Sequence, residues 1–450
     1  MLQIVTSLTS SRDRTEAALV YLTSAVAKRG ISYSTVDLSG TIGYHSPPPQ
    51  LVQSCSDSGW LNPSSITEAD WMDAYLPKIE GPGPVLFSAQ FSPDVVFHAR
   101  QSVRCKRRYP HIVTAIGGCA LTGLSAEQLE FTSRFFDLVF VGYEVDKALD
   151  WLMGQKEGSS ARRPVLFSDG PPDIEPDYSL VELRSGVTVY SGHGCYYARC
   201  RFCDYPSRSN RHVFYRSPQK VATDLRQVAD LNPRVSDITL TQDAYSEKQL
   251  RETAAAVAME GPEVPYHVMF RAEPWVNRDL AKTLAASGCT EVFIGAEALD
   301  DRILNVLGKG VTTNHIVKAL RALSGYVHVT VGLVLFVPGV EERWLHSQEK
   351  TLASVIDIVD EIEPEILTVV NGSEFANSAR KYGIRLYADD HWVNDSWCFG
   401  LSQDIPWTFE NSDSLGLWLE HCDKLKDLCV GRSRGEYWER INRVRERIMK

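Results

Sequence analysis

The sequence predicts an α/β protein with two consecutive strand–helix arrays and a short, mostly helical C-terminal region. Short β-branched or apolar runs alternate with amphipathic helical patterns on both sides of a stretch rich in glycine, serine and proline. This alternation is typical of parallel sheets in separate domains. Glycines or polar residues follow many of the strands, where parallel α/β folds place their sites. A length of 450 residues also suits two or three domains.

The first array, residues 1–155, is expected to form an open parallel sheet. Its predicted strands are 2–6, 32–38, 84–89, 112–116 and 138–141, and its predicted helices are 12–29 and 93–109. Ser88, Gly117, Gly118 and Gly142 stand at the ends of three of these strands. Parallel sheets bind ligands at this edge, and glycine lets the backbone approach a ligand closely. We therefore expect these four residues to line a ligand site.

A linker at 156–184 is expected to lead into a second array at 185–380, followed by a C-terminal region at 381–450. The predicted strands of this array are 187–190, 237–241, 266–270, 291–294, 328–336 and 365–370. Its predicted helices are 217–231, 248–259, 278–287, 313–324 and 348–359, with two more at 415–429 and 434–450. Six strand–helix units are too few for the closed eight-fold barrel. The aromatic residues of the C-terminal region either line a cavity or cap the array.

Three cysteines, Cys195, Cys200 and Cys203, lie on the loop that leaves the strand 187–190. Thiolates bind soft metal centres, and short spacing lets one loop supply several ligands. A structural zinc site needs a fourth ligand, for which His193 is the candidate. An iron–sulfur cube held by three cysteines instead keeps one iron open. A disulfide with a spare thiol is disfavoured in a cytosolic protein.

Composition limits the partners and the compartment. A net charge of −10 argues against a surface that binds the phosphates of DNA or bulk RNA. The sequence has no long apolar run or basic leader, so we expect a cytoplasmic protein without a membrane span. Its cysteines are then expected to be reduced. Seven lie outside the loop and are expected to be mostly buried hydrophobes: Cys55, Cys105, Cys119, Cys289, Cys398, Cys422 and Cys429.

The pattern Gly-Cys-x4-Cys-x-Phe-Cys at 194–203 resembles the cluster loop of radical S-adenosylmethionine (radical SAM) enzymes. It has the longer-spaced form found in members that carry a cobalamin (B12)-binding-type domain. The first array resembles that Rossmann-like domain through Ser88, Ile-Gly-Gly at 116–118 and Val-Phe-Val-Gly-Tyr-Glu at 139–144. No Asp-x-His-x-x-Gly motif supplies a histidine ligand to cobalt. A domain that keeps the fold but has lost the cofactor is the alternative.

This resemblance implies a partial (β/α)6 radical SAM barrel in which Cys195, Cys200 and Cys203 bind a 4Fe-4S cluster. Phe202 would pack near the adenine of S-adenosylmethionine. The implied reaction is reductive cleavage of S-adenosylmethionine to a 5′-deoxyadenosyl radical and, with cobalamin, methylation of an unactivated carbon in a peptide or small natural product. An external donor such as flavodoxin or ferredoxin would supply the electron. A cobalamin-free epimerase, cyclase or rearrangement enzyme and a non-catalytic iron–sulfur protein are the alternatives.

Polar residues at successive strand ends complete the implied cofactor site. Asp243 and Glu297 are expected to bond the ribose hydroxyls or the methionine amine. Arg271 is expected to hold the methionine carboxylate as a bidentate fork, and Gly332 belongs to the ribose and adenine side. Ordinary solvated loop residues are the alternative for each charged side chain. Cys398 would donate a hydrogen atom or ligate the auxiliary cofactor, with core packing as its alternative.

Overall fold

The computed structural model describes residues 1–8, 11–42, 66–68, 70–154, 164–168, 170, 174–205, 213–260, 265–386 and 404–448. The chain forms two compact units. The first is Met1–Arg184 with Ser396–Asp404, and the second is Ser185–Asp395 with Ile405–Lys450. Each has its own buried apolar core. No helix among the described residues is both long enough and apolar enough to cross a membrane.

A six-stranded parallel sheet organises the first unit. Its strands are β1 Leu2–Val5, β2 Tyr33–Val36, β3 Val85–Ser88, β4 Thr114–Gly117, β5 Leu138–Val141 and β6 Val165–Phe167. Its helices are α1 Ala17–Lys28, α2 Ser92–Arg108, α3 Ala126–Ser133 and α4 Val145–Gly154. The strands lie in the order β2-β1-β3-β4-β5-β6. This order reverses between β1 and β3, and doubly wound sheets bind ligands beyond the strand ends at such a point.

The edge strand β6 comes from the predicted linker. Its three residues pair with β5, from Val139 with Val165 to Val141 with Phe167. So short an apolar run, flanked by glycine, serine and proline, gives no strand signal by itself. The sheet edge supplies the hydrogen-bond partners that make it a strand. Helix α1 also begins later than predicted, because Arg14–Thr15 is extended.

Six strands of the second unit pair side by side in chain order, and all are parallel. They are β7 Gly186–Tyr190, β8 Asp237–Thr241, β9 Tyr266–Phe270, β10 Cys289–Glu297, β11 His328–Leu335 and β12 Glu361–Ile366. The connecting helices are α5 Pro218–Leu231, α6 Glu247–Glu260, α7 Arg278–Ala286, α8 Asp301–Leu307, α9 Thr313–Leu323 and α10 Glu342–Ala353. The predicted six-unit α/β array is confirmed.

Two boundaries predicted for the second unit are wrong. Strand β12 is Glu361–Ile366, not 365–370, and helix α10 is Glu342–Ala353, not 348–359. The segment 361–366 has a weak strand signal, because glutamates alternate there and Pro364 cannot donate to a ladder. Since β12 ends the row of six strands, an edge proline is tolerated. Two of its glutamates also form ion pairs, Glu361 with Arg434 and Glu365 with Arg440, both at 2.7 Å.

The C-terminal region packs its described tryptophans in the core. It contains helices α11 Ser412–Leu428 and α12 Gly435–Ile448. It also pairs Ile384–Leu386 with Trp407–Phe409 in an antiparallel arrangement. The buried indoles of Trp407 and Trp418 donate to the carbonyls of Leu367 and Val337, each at 3.0 Å. A buried indole N–H needs such a partner, so these two rings have a structural role.

The cysteines outside the loop are mostly core residues, as predicted. Cys119 is exposed, whereas four others are buried: Cys105, Cys289, Cys422 and Cys429. Burial raises the pKa of the Cys105 thiol to about 11 and those of Cys289 and Cys429 to about 12. Thiols of this kind are unreactive at neutral pH. Cys55 and Cys398 lie outside the described residues.

Candidate functional site

The cysteine loop leaves β7 and returns alongside β8, where Cys195 forms an isolated parallel bridge with Ala244. The position of Gly192, shortly before Cys195, requires glycine. A Cβ at Gly192, whose φ is +157°, would lie 2.2 Å from Oε1 of Gln242 and 2.3 Å from the Phe214 carbonyl oxygen. The three cysteines of the loop are partly exposed, and none of them forms a disulfide. A bound group would therefore reach their sulfurs.

Each cysteine sulfur of the loop accepts a hydrogen bond from an N–H group. The donors are the Ala198 amide to Cys195 at 3.5 Å, the Tyr205 amide to Cys203 at 3.4 Å and Arg271 Nη1 to Cys200 at 3.7 Å. Such donors favour thiolates over thiols. Burial nevertheless raises the pKa of the Cys200 thiol, against the opposing effect of the cations of Lys309 and Arg271. A metal centre would supply the missing positive charge.

A zinc site with His193 as fourth ligand is the alternative to a cluster at this loop. Within the part of the chain that the structure describes, no three His, Cys, Asp or Glu side chains are placed to bind one ion. Nδ1 of His193 bonds the Tyr190 hydroxyl, and burial lowers the pKa of this imidazole. The bond to Tyr190 orients the His193 ring through Nδ1. An iron–sulfur cube binds each thiolate at a different iron, so its ligands need not converge on one point.

Gln242 and Asp243, which directly follow β8, bond the peptide groups on either side of Gly194. Asp243 Oδ2 accepts from the Gly194 amide at 2.5 Å, and Gln242 Nε2 donates to the Gly194 carbonyl at 2.7 Å. The buried Oε1 of Gln242 has no hydrogen-bond partner. The pair fixes the backbone immediately before Cys195. Gln242 was not predicted, although a polar residue at the end of a strand is the signal that identified Asp243.

Arg271, after β9, is 5% exposed and lies against the same loop. Its Nε bonds Glu273 Oε1 at 2.7 Å, and its Nη2 bonds the Lys309 carbonyl. Its guanidinium carbon lies 3.8 Å from the centre of the Tyr197 ring. With the bond to Cys200, every guanidinium nitrogen has a protein acceptor. Binding of the methionine carboxylate by Arg271 stays a prediction.

Glu297 ends β10 in an unusual backbone conformation. Its φ is +67°, in the left-handed region that non-glycine residues seldom adopt. Its Oε1 forms an ion pair with Nζ of Lys309 at 2.7 Å, and both side chains are mostly buried. On the neighbouring strand, Gly332 lies against Phe293, where a Cβ would be 2.6 Å from Cζ. Strain of this kind concentrates at functional sites, and Lys309 was not predicted.

Phe202 is half-buried beside Arg201, which anchors the cysteine loop to the end of α8. The Arg201 amide donates to the Leu307 carbonyl at 2.9 Å, and its guanidinium donates to the Asn305 carbonyl at 2.6 Å. The Asn305 carbonyl also accepts from the Gly308 amide at 3.1 Å, and both carbonyls lie at the end of a helix, where no further turn supplies donors. Cys398 belongs to the residues that are not described, so its predicted role has no structural test.

The glycines predicted at the ends of β4 and β5 allow close approach of neighbouring loops. Gly118 has φ +119°, and its Cβ would lie 2.1 Å from the Ala89 carbonyl oxygen. Gly142 has φ +138°, and its Cβ would lie 2.4 Å from the Ser168 carbonyl oxygen. Gly117 has only ordinary neighbours, the nearest at 3.6 Å. Two of the three glycines are therefore required by the packing of the unit itself.

Asp94, near the start of α2, is a fully buried carboxylate that joins the loops after β1 and β3. It accepts from Ser7 Oγ at 2.7 Å and from the amides of Leu8, Gln90 and Phe91 at 2.9, 2.8 and 2.9 Å. One turn later, His98 places Nε2 3.1 Å from the Ser88 carbonyl oxygen. Its Nδ1 is buried without a hydrogen-bond partner. Sequence reasoning missed both, although Ser-Pro-Asp is a helix-start signal.

Two features define the class of protein. They are the parallel α/β array with the cysteine loop after its first strand, and the doubly wound sheet. Residues 189–351 match the family model of the radical SAM superfamily. The match begins within β7, contains the cysteine loop and ends within α10. The chain therefore carries a radical SAM domain.

Two solved structures share the fold and cover 96% of this chain. The cobalamin-dependent S-adenosylmethionine radical enzyme OxsB, with aqua-cobalamin and S-adenosylmethionine bound, is 12% identical, with a TM-score of 0.65 over 67% of its chain. The radical SAM methyltransferase TsrM from Kitasatospora setae, with cobalamin and a 4Fe-4S cluster bound, is 14% identical, with a TM-score of 0.65 over 90% of its chain. The predicted radical SAM enzyme with a cobalamin-binding-type domain is confirmed at the level of domain and fold.

A curated relative is also a methyltransferase by name. The uncharacterized methyltransferase PH0819 of Pyrococcus horikoshii is 22% identical over 200 residues. The aligned part covers 41% of this chain and 43% of the relative. The chain thus spans less than half the length of this relative, and the likeness carries no substrate.

Proposed function

We propose that this protein is a radical SAM enzyme that holds a 4Fe-4S cluster on Cys195, Cys200 and Cys203 and cleaves S-adenosylmethionine reductively. We further propose that it binds cobalamin and methylates an unactivated carbon of a peptide or small natural product. The observation that carries the proposal is that each of the three cysteine sulfurs accepts an N–H donor. Such a set of donors suits thiolates bound to iron. The ligands named for OxsB and TsrM support the same cofactors here.

The residues around the loop would bind and orient these groups. When bound, the cluster supplies one electron for the cleavage of S-adenosylmethionine, and cobalamin carries a methyl group. Asp243 and Glu297 would bond the ribose hydroxyls or the methionine amine. Phe202 and Gly332 would border the adenine and ribose. An external one-electron donor such as flavodoxin or ferredoxin would restore the electron.

Anaerobic reconstitution tests the cluster. The wild type should show a broad visible absorbance and form 5′-deoxyadenosine with a reductant, and a variant with Cys195, Cys200 and Cys203 changed to Ala should do neither. Cys119→Ala, which removes an exposed cysteine outside the loop, should behave as the wild type. Iron retained by the triple variant, or stoichiometric zinc in the wild type, would contradict the proposal.

The first unit offers the cobalamin site that we propose. The order of its strands reverses between β1 and β3, where doubly wound sheets bind ligands, and Asp94 joins the loops there. Titration with hydroxocobalamin followed by washing should leave about one equivalent bound, without a histidine ligand from an Asp-x-His-x-x-Gly motif. If none is retained while S-adenosylmethionine is still cleaved, a cobalamin-free epimerase, cyclase or rearrangement enzyme is the better assignment.

A further inference from the structure

Arg271 is directed at the cysteine loop, and its guanidinium is held on every side. Nη1 donates to Cys200 Sγ at 3.7 Å, Nε to Glu273 Oε1 at 2.7 Å and Nη2 to the Lys309 carbonyl. The Tyr197 ring covers one face, at 3.8 Å from the guanidinium carbon. Such a planar group has one orientation that satisfies all three acceptors. These bonds use three of the five N–H groups of the guanidinium.

Glu273 is the counter-ion of Arg271 and bonds a different nitrogen from the one that contacts the sulfur. Its Oε1 accepts from Arg271 Nε and, at 3.1 Å, from the Tyr196 hydroxyl. The Glu273 side chain is 16% exposed and the Arg271 side chain 7%, so water screens their charges only partly. Arg271 contacts the sulfur of Cys200, whereas Glu273 acts on that sulfur through Arg271. The two charges therefore affect Cys200 with opposite signs and different strengths.

A donor and a positive charge beside a cluster thiolate stabilise the reduced cluster more than the oxidised one, because reduction adds negative charge. Hydrogen bonds to cluster sulfurs and the local charge are established determinants of reduction potential. We propose that Arg271 is a positioning residue that orients Cys200 and raises the reduction potential of the cluster, while Glu273 orients Arg271 and limits this increase. The inference rests on the proposed function, because it needs a cluster on Cys200.

This role predicts shifts of opposite sign for two neighbouring substitutions. Arg271→Gln removes the charge, so the ratio of reduced to oxidised cluster at a fixed ambient potential should fall about tenfold, which equals about 59 mV for one electron. Glu273→Gln keeps the shape of the side chain and removes the opposing charge, so the ratio should rise severalfold. Arg271→Lys keeps the charge without the planar fork, and its ratio should fall less than that of Arg271→Gln.

The experiment is a redox titration of the reconstituted full chain without S-adenosylmethionine, followed by electron paramagnetic resonance. Arg251→Gln is the matched control, because Arg251 also pairs with a glutamate, Glu247 at 2.9 Å, on helix α6. Its potential should equal that of the wild type. If Arg271→Gln loses iron, Glu273→Gln decides the question by itself.

Three results would overturn the inference. Unchanged potentials in Arg271→Gln and Glu273→Gln would show that the two residues only stabilise the local structure. Shifts of the same sign in the two variants would show the same. An unchanged potential with weaker binding of S-adenosylmethionine in Arg271→Gln would instead assign Arg271 to the methionine carboxylate. Failure of the wild type to bind iron would remove the proposed function along with this inference. A normal wild-type cluster with unmoved variants would refute the inference alone.

Discussion

Replacing Asp94 by Ala should destabilise the first unit by about 4 kcal/mol. The substitution removes the acceptor of four hydrogen bonds at the point where the strand order reverses. A hydrogen bond to a charged group contributes about 1.5–3 kcal/mol. The four share one carboxylate and are not additive. The buried Ser7 hydroxyl and Leu8 amide would lose their acceptor, so we take the range of about 3–5 kcal/mol for breaking a buried charged network.

Hydrogen exchange measured on peptides from β1 and β3 is the appropriate assay, because a chain of two units need not unfold in one step. A loss of about 4 kcal/mol should accelerate exchange there about a thousandfold, at 1.4 kcal/mol for each factor of ten. Asp94→Ala should also lower retention of hydroxocobalamin and leave the iron content unchanged.

Two control variants make the Asp94 test specific. Ser7→Ala removes one of the donors to Asp94 and should lower the stability of the first unit by about 1 kcal/mol. Asp150→Asn affects an exposed pair with Arg29 and should cost less than about 1 kcal/mol. If Asp94→Ala loses no more protection than Ser7→Ala, the reasoning about the shared carboxylate is wrong.

Three further predictions use the same structure. Glu297→Ala and Asp243→Ala should each weaken binding of S-adenosylmethionine in calorimetry at unchanged iron content; loss of iron in Asp243→Ala would assign that residue to the loop alone. Gly118→Ala should lower the free energy of unfolding by about 2–4 kcal/mol through backbone strain, whereas Gly117→Ala should change it by less than about 1 kcal/mol. Equal melting temperatures of the two variants would refute this prediction. Burial lowers the pKa of His98 from 6.5, so the unfolded state binds the proton first. The stability of the first unit should therefore decrease as pH falls below about 6.5, by at most about 1.4 kcal/mol per pH unit. If the stability of a His98→Gln variant depends on pH in the same way as that of the wild type, the prediction is wrong.

Local patterns predicted most of the second unit because its strands are buried runs of β-branched and aromatic residues between capped helices. Strands β8 and β9 lie at the predicted positions, and α5 and α7 agree to within a residue. The same reasoning failed where a local signal opposes the tertiary one. The strand predicted at 365–370 missed most of β12, whose Pro364 is tolerated because the strand lies at the edge of the sheet. Strand β6 depends on β5 for its partners.

The cysteine spacing, the strand-end glycines and the alternation of elements lie within short stretches of chain, so the sequence by itself determined the class of fold and the loop that would hold a cluster. Contacts between distant residues were decided only by the tertiary structure. Ser7 and Asp94 are 87 positions apart, and Cys200 and Arg271 are 71 apart. A strand-end position indicates that a charged side chain lies near a site. Its partners depend on packing in three dimensions, and packing places Arg271 against Cys200, Glu273 and Lys309.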